Sequence, residues 1–157
     1  MQISAIMERD VKTCGPADSL REAALLMWEG DCGAVPVLDD HRRVVGMITD
    51  RDICMSAFFK DVPLSTINIE EVMSRQVHCC RPEQTVAEAE ALMREAQVRR
   101  VPIVNDEHEL VGILSLADIA RTMRTQPPSA SHEISLAAVG ETLAGIARTR
   151  NGSGSYL

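Results

Sequence analysis

Aromatic side chains are scarce: they make up 3% of the 157 residues, and Trp28, Phe58, Phe59 and Tyr156 are the full set. A core must therefore be built from Val, Ile, Leu, Ala and Met. Long apolar runs are missing too. No stretch approaches the ~20 residues that span a bilayer. Met1-Gln2-Ile3-Ser4-Ala5 lacks the basic head and apolar stretch of a signal peptide. A cytoplasmic protein without a membrane partner is expected. Positive charge is in deficit, with 16 Lys and Arg against 23 Asp and Glu and a net charge of −7. That balance disfavours general binding to a nucleic-acid backbone. A local basic cluster could still hold a small anion. The five cysteines are odd in number, which argues against a fully paired disulfide framework within one chain. In a reducing compartment they are expected to be free.

Catalytic constellations are lacking as well. His41, His78, His108 and His132 have no evident paired nucleophile, so no enzyme is expected. His78-Cys79-Cys80 invites a zinc reading. The segment is expected to be a strand, however, where neighbouring side chains point to opposite faces. Cys14 also recurs as Cys80, which suggests a shared core position. No metal site is expected there.

What the chain does have is 45% apolar and 25% charged residues, a folded composition, and an internal repeat. Shifted by 66 positions, Ile6-Met7 falls on Val72-Met73, Cys14 and Pro16 on Cys80 and Pro82, and Glu22-Ala23 on Glu88-Ala89. Val35-Pro36 falls on Val101-Pro102, Val45-Gly46 on Val111-Gly112, and Asp52-Ile53 on Asp118-Ile119. One register holds without a gap from end to end of the unit, as a true duplication requires.

Each unit is read as β-α-β-β-α. Val11 to Cys14 forms a short strand before Pro16. Ser19-x-x-Glu22 and Thr85-x-x-Glu88 are capping boxes that open helices. Ala34 to Leu38 and Val44 to Ile48 form a hairpin around Asp39-Asp40-His41-Arg42. Thr49 opens a second helix. The expected organisation is a first repeat over 1–58, a linker over 59–71 and a second repeat over 72–124. A Pro-Pro break, a last helix capped by Ser131 and a flexible tail take up 125–157. A single unit buries too little to be stable alone. Two units covering each other's sheet faces would form a pseudo-twofold α/β pair with clefts along the joint.

Two features could carry chemistry. The first is Gly46-Met47-Ile48-Thr49-Asp50-Arg51-Asp52, repeated as Gly112 to Asp118. Thr/Ser-x-x-Asp after a strand is a helix cap. At the joint between units, the same carboxylate could accept both hydrogen bonds of a ribose diol. The helix N-terminus would favour a phosphate nearby. The second is Arg99-Arg100 leading into Val101-Pro102, where the first repeat has Gly33-Ala34. Such arginines are either solvated or turned inward to fork a phosphate.

Taken together, these motifs resemble the CBS domain family. The marks are Met7 and Met73, the turns at Pro16 and Pro82, the Val-Pro strand starts and the doubled Gly-h-h-Thr/Ser-x-x-Asp-Ile. The resemblance runs from residue 1 to about residue 124. It implies two CBS repeats packed sheet to sheet, with two nucleotide clefts and a regulatory role. Carried over, one cleft would comprise Ser115, Asp118, Arg99 and Arg100 with Gly15, Leu20 and Gly33. The other would comprise Thr49, Arg51, Asp52, Gly33 and Ala34 with Arg81, Val86 and Arg99. Gly15 and Arg81 stand where related modules place Thr before the turn proline.

The implied ligand is an adenine nucleotide, AMP first, with ADP, ATP or S-adenosylmethionine as alternatives. The Asp118 cleft is expected to be the tighter one. The implied partners are a second copy, through Ile53, Met55, Phe58, Ile119 and Met123, and an unidentified regulated protein. The helix over 134–148 is a candidate addition to the dimer contact. The competing reading is a structural dimerisation module without a ligand.

Overall fold

The computed structural model describes residues 1–125 and 136–147. The Pro-Pro break, the Ser131 cap, Ile134, His132 and the tail lie outside them. Each repeat opens on a helix: α1 (Leu20–Glu29) in the first and α3 (Val86–Ala96) in the second. Ser19 and Thr85 cap them with complete capping boxes, as the sequence pattern requires. Antiparallel hairpins follow, β1 (Ala34–Leu38) with β2 (Val44–Thr49), and β3 (Arg100–Val104) with β4 (Leu110–Ser115). Helices α2 (Asp50–Lys60) and α4 (Leu116–Thr125) leave the hairpins, and α5 (Leu136–Ile146) ends the fold. The duplication extends to backbone conformation. Asp31 and Gln97 are left-handed at φ 46° and 53°, and Arg42 and His108 at 61° and 66°.

The expected first strand of each unit is not a strand. Val11 to Cys14 and His78 to Cys80 each make one parallel bridge, Cys14 to Val37 and Cys80 to Ile103. The chain reaches β1 or β3 only at the cysteine and then turns away at the proline, so no ladder propagates. Both cysteines lie in the cores at 6% and 2% exposure.

Two apolar cores lie under the hairpins, and each borrows from the other repeat. Ile3 is fully enclosed in the second core, held by its N–H to the Gln84 carbonyl at 2.9 Å. Ile67, Ile69 and Met73 enter the first core, where Leu20 N–H donates to the Ile67 carbonyl at 2.9 Å. Glu8 then bridges Ile113 on β4, and Ser74 bridges Met47 on β2. Each hairpin is therefore flanked by a chain segment from the opposite half.

This crossing explains the doubled methionine and glycine. A Cβ on Gly112 would lie 2.9 Å from the Glu8 carbonyl and 2.8 Å from Met7 Sδ. One on Gly46 would meet Met73 Sδ at 2.5 Å. A third cluster of Val44, Val104 and Leu110 seals the joint, where Arg43 bridges Glu109.

Candidate functional site

The two capping boxes form as the pattern requires. The Thr49 N–H and Oγ1–H donate to Asp52 Oδ2 at 2.9 and 2.7 Å, and Asp52 N–H returns to Thr49 Oγ1 at 3.1 Å. Ser115 and Asp118 copy this at 2.8, 2.6 and 3.2 Å. In both boxes a single carboxylate oxygen, Oδ2, carries the cap, and the other oxygen takes no part in it. On Asp118 that oxygen pairs with the Arg121 guanidinium. Arg121 is 71% exposed, and exposed pairs of this kind contribute little. The counterpart of Arg121 in the first repeat is Met55, so Asp52 has no such competitor.

The strand starts lie beside these boxes. Ala34 pairs with Thr49, and Arg100 with Ser115. Asp50 N–H donates to the Gly33 carbonyl at 3.1 Å, and Leu116 N–H to the Arg99 carbonyl at 2.9 Å. The half-buried Arg100 reaches across the joint and donates from its terminal nitrogen to the Ala34 carbonyl at 3.3 Å. That one bond links Ser115, Asp118, Arg99 and Arg100 to Gly33, Ala34, Thr49 and Asp52. Eight of the residues singled out from sequence are thus gathered around one cross-repeat contact. Arg99 and Arg51 are exposed and lie beside these residues in the sequence.

The turn residues are held elsewhere by hydrogen bonds and ion pairs. Gly15 N–H donates to Asp18 Oδ2 at 2.7 Å, and Arg81 N–H to Gln84 Oε1 at 2.7 Å. The Arg81 guanidinium pairs with Asp106 on the β3–β4 turn. Leu20 and Val86 are core side chains, 0% and 1% exposed. They can only back a cleft, because the first helical residue behind each capping box points into its own core.

Three thiols are raised above the ordinary cysteine range. Burial pushes Cys14 up to about 12, and Cys79 and Cys80 up to about 11. They are protonated at neutral pH. No cluster of three His, Cys, Asp or Glu side chains able to hold a metal occurs among the described residues. No helix among them is long and apolar enough to cross a membrane.

The CBS domain pattern matches this chain twice, over residues 3–57 and 69–125. The chain belongs to the CBS domain family. Its fold matches the CBS domain pair of protein MJ0100, solved in complex with 5-methylthioadenosine and S-adenosyl-L-methionine. The TM-score is 0.72 and the identity 27%, over 79% of this chain and 96% of that one.

Hypoxic response protein 1 of Mycobacterium tuberculosis is 38% identical over 116 residues, 74% of this CBS pair and 80% of the relative. A structure of Hypoxic Response Protein I with two coordinated zinc ions superposes at TM-score 0.68 and 35% identity, over 78% and 98% of the two chains. Inosine-5'-monophosphate dehydrogenase of Methanocaldococcus jannaschii is 34% identical over 128 residues. They are 82% of this chain but 24% of that protein.

Proposed function

We propose that this CBS pair is a regulatory module that binds an adenine nucleotide across its two repeats and signals the bound state to a partner protein. The observation that carries the reading is the Arg100–Ala34 bond, which draws both capping boxes and both strand starts to one joint. A ligand there meets a carboxylate oxygen that the cap does not use, suited to a ribose diol. It also meets guanidinium groups suited to a phosphate. AMP is the first choice, since Arg99 and Arg100 match one phosphate. ATP and S-adenosylmethionine are the alternatives.

The contacts offered are those of binding and not of bond cleavage. A phosphate that recruits Arg100 removes it from the Ala34 carbonyl and changes how the repeats are tied, which is the signal. The protein acts as a homodimer in the cytoplasm, in contact with an unidentified regulated protein. The 27% identical MJ0100 pair, solved with two adenosyl compounds, supports the ligand class.

Calorimetry with AMP, ADP, ATP, 5-methylthioadenosine and S-adenosylmethionine tests this. Binding at micromolar to sub-millimolar affinity is expected, roughly −5 to −8 kcal/mol. No heat and no thermal shift at millimolar ligand would leave a structural dimerisation module.

A further inference from the structure

Two thiols outside the capping boxes line one cavity. Cys32 follows α1 and Cys54 lies on α2, and both border a groove of about 580 Å³ between the two helices. Cys54 is exposed and Cys32 is half-buried. Backbone hydrogen bonds bring them to the same place. Asp31 turns left-handed at φ 46° after α1, and Cys32 N–H donates to the Met27 carbonyl at 3.0 Å. Asp50 N–H, at the start of α2, donates to the Gly33 carbonyl at 3.1 Å. Cys32 is the residue before Gly33. Cys54 stands one helical turn, ~5.4 Å, along α2 from Asp50. Disulfides join Cα atoms ~4.4–6.8 Å apart, which is the scale of that turn.

The remaining thiols and the second repeat offer no equivalent. Burial keeps Cys14, Cys79 and Cys80 protonated at neutral pH, and a thiol attacks only as its thiolate. By the repeat register Cys32 corresponds to Val98 and Cys54 to Ala120. There Val98 packs against the second core, and α5 lies on both α3 and α4.

We propose that Cys32 and Cys54 are a redox pair that closes into an intrachain disulfide by exchange with a small disulfide. Cys54, the exposed thiol, gives up its proton and attacks one sulfur of the small molecule. The S–S bond of that molecule breaks, and the leaving sulfur takes up a proton as a free thiol. Cys32 then gives up its proton and attacks the Cys54 sulfur. The second half of the small molecule leaves, protonated, as another free thiol. The two cysteines lose two electrons together, and the small disulfide gains them. A small dithiol reverses the exchange.

The regulatory consequence rests on the nucleotide reading. Cys32 lies two residues before Ala34, whose carbonyl accepts from Arg100 at 3.3 Å. Such bonds usually measure ~2.7–3.2 Å, so a small shift of the strand start breaks this one. Closing the groove draws Cys32 onto α2 and takes the Ala34 carbonyl from Arg100. The oxidised protein then holds its two strand starts less firmly together and binds AMP more weakly.

The full chain, reduced and then incubated with oxidised glutathione, can be alkylated, digested and read by mass spectrometry. A Cys32–Cys54 cross-link is expected, with Cys14, Cys79 and Cys80 alkylated. Cys32→Ser and Cys54→Ser should each abolish it, and Cys54 is exposed, so the second variant should keep its fold by circular dichroism. Calorimetry should show AMP affinity falling about three- to tenfold on oxidation, the worth of one ordinary hydrogen bond. Dithiothreitol should restore it, and Cys54→Ser should show no change.

Five alkylated cysteines after oxidation, a cross-link between other cysteines or between two chains, or glutathione left on Cys54 would each overturn the redox pair. A Cys32–Cys54 cross-link with unchanged AMP affinity overturns the coupling to the strand start. Reduced protein that binds no adenosyl compound overturns the nucleotide reading, while the cross-link alone still decides the redox pair.

Discussion

Asp118 and Asp52 have the same fold around them and different neighbours, so their substitution separates capping from ligand binding. Each closes a capping box, and losing a cap costs ~1 kcal/mol of stability. If each also binds ribose, Asp118→Ala should further weaken the tighter nucleotide site by about ten- to a hundredfold, the worth of a hydrogen bond to a charged group. Arg100→Ala should weaken AMP more than adenosine, because only AMP brings a phosphate to the guanidinium. Asp52→Ala should leave the tighter site largely intact. Calorimetry in which Asp52→Ala abolishes tight binding and Asp118→Ala does not would exchange the two clefts. The Arg121 pair on Asp118 gives that outcome a physical route, since a ribose must first displace it. The glycines make a second residue-scale test. Gly112→Ala drives a Cβ against the Glu8 carbonyl, and overpacking of this kind costs about 1–3 kcal/mol. Chemical denaturation should show that loss. An unchanged midpoint would mean that the Met7 segment is not clamped on β4.

Helix α5 shows how one buried acid sets the character of an element. Glu90 on α3 is 3% exposed, and its Oε1 has no hydrogen-bond partner. Burial raises its carboxyl above the ordinary glutamate range, and the nearby Arg94 charge and Thr142 hydroxyl only partly oppose this. The folded state therefore favours the protonated acid. The stabilising contribution is fully present below the unfolded value of about 4.5 and is lost as pH rises through the higher folded value. Glu90→Gln mimics the protonated form and should stabilise the protein at pH 7.5. An unsatisfied buried polar group costs ~1–3 kcal/mol, which bounds the gain. Urea unfolding should show the difference shrinking towards pH 4. A substitution that is equally neutral or destabilising at both values would mean that the Arg94 charge outweighs burial. The α1 equivalent of Glu90 is Ala24, so this sensitivity belongs to the covered repeat alone.

The whole molecule is a pair that cannot be taken apart at the middle of its sequence. Ile3 completes the second core, and Ile67, Ile69 and Met73 complete the first. Ile3→Ala should cost about 2–5 kcal/mol, the usual range for a buried isoleucine. Hydrogen exchange should show the protection lost first in α3, β3 and β4, more than sixty residues from the substitution. Loss confined to the N-terminal residues would mean that the crossing segment is an ornament of the second core. Wild-type unfolding should be a single transition for the same reason. A nucleotide bound across the joint at 100 times its dissociation constant should add about 2.7 kcal/mol.

Much of this architecture could be read from the chain before any coordinates. The duplication, the capping boxes, both hairpins and the shared burial of Cys14 and Cys80 follow from local patterns. A 3.6-residue or two-residue period reports directly which side of an element is buried. The same patterns misplaced the first strand of each unit. An extended apolar segment looks alike whether it makes a ladder or one bridge, and only the path of β1 and β3 decides. They also assigned Ile53 and Ile119 to a dimer surface, although both lie in their own cores at 7% and 0% exposure. An apolar helix position does not say whose core it faces. Met123, from the same set, lies outside the described side chains. Nor did they say where the last helix packs: α5 folds back on α3 and α4 of its own repeat.

By itself, then, the sequence determined the elements, their caps and the residue types offered at the two capping boxes and strand starts. Only the tertiary structure decided which segments cross between repeats and that Arg100 reaches Ala34. It also decided that Arg81 turns to Asp106, and that one helical face is covered while its twin stays open. Those outcomes depend on surfaces meeting across long separations in the chain. No local period encodes such a meeting, because it is settled by which apolar faces remain after each element has formed.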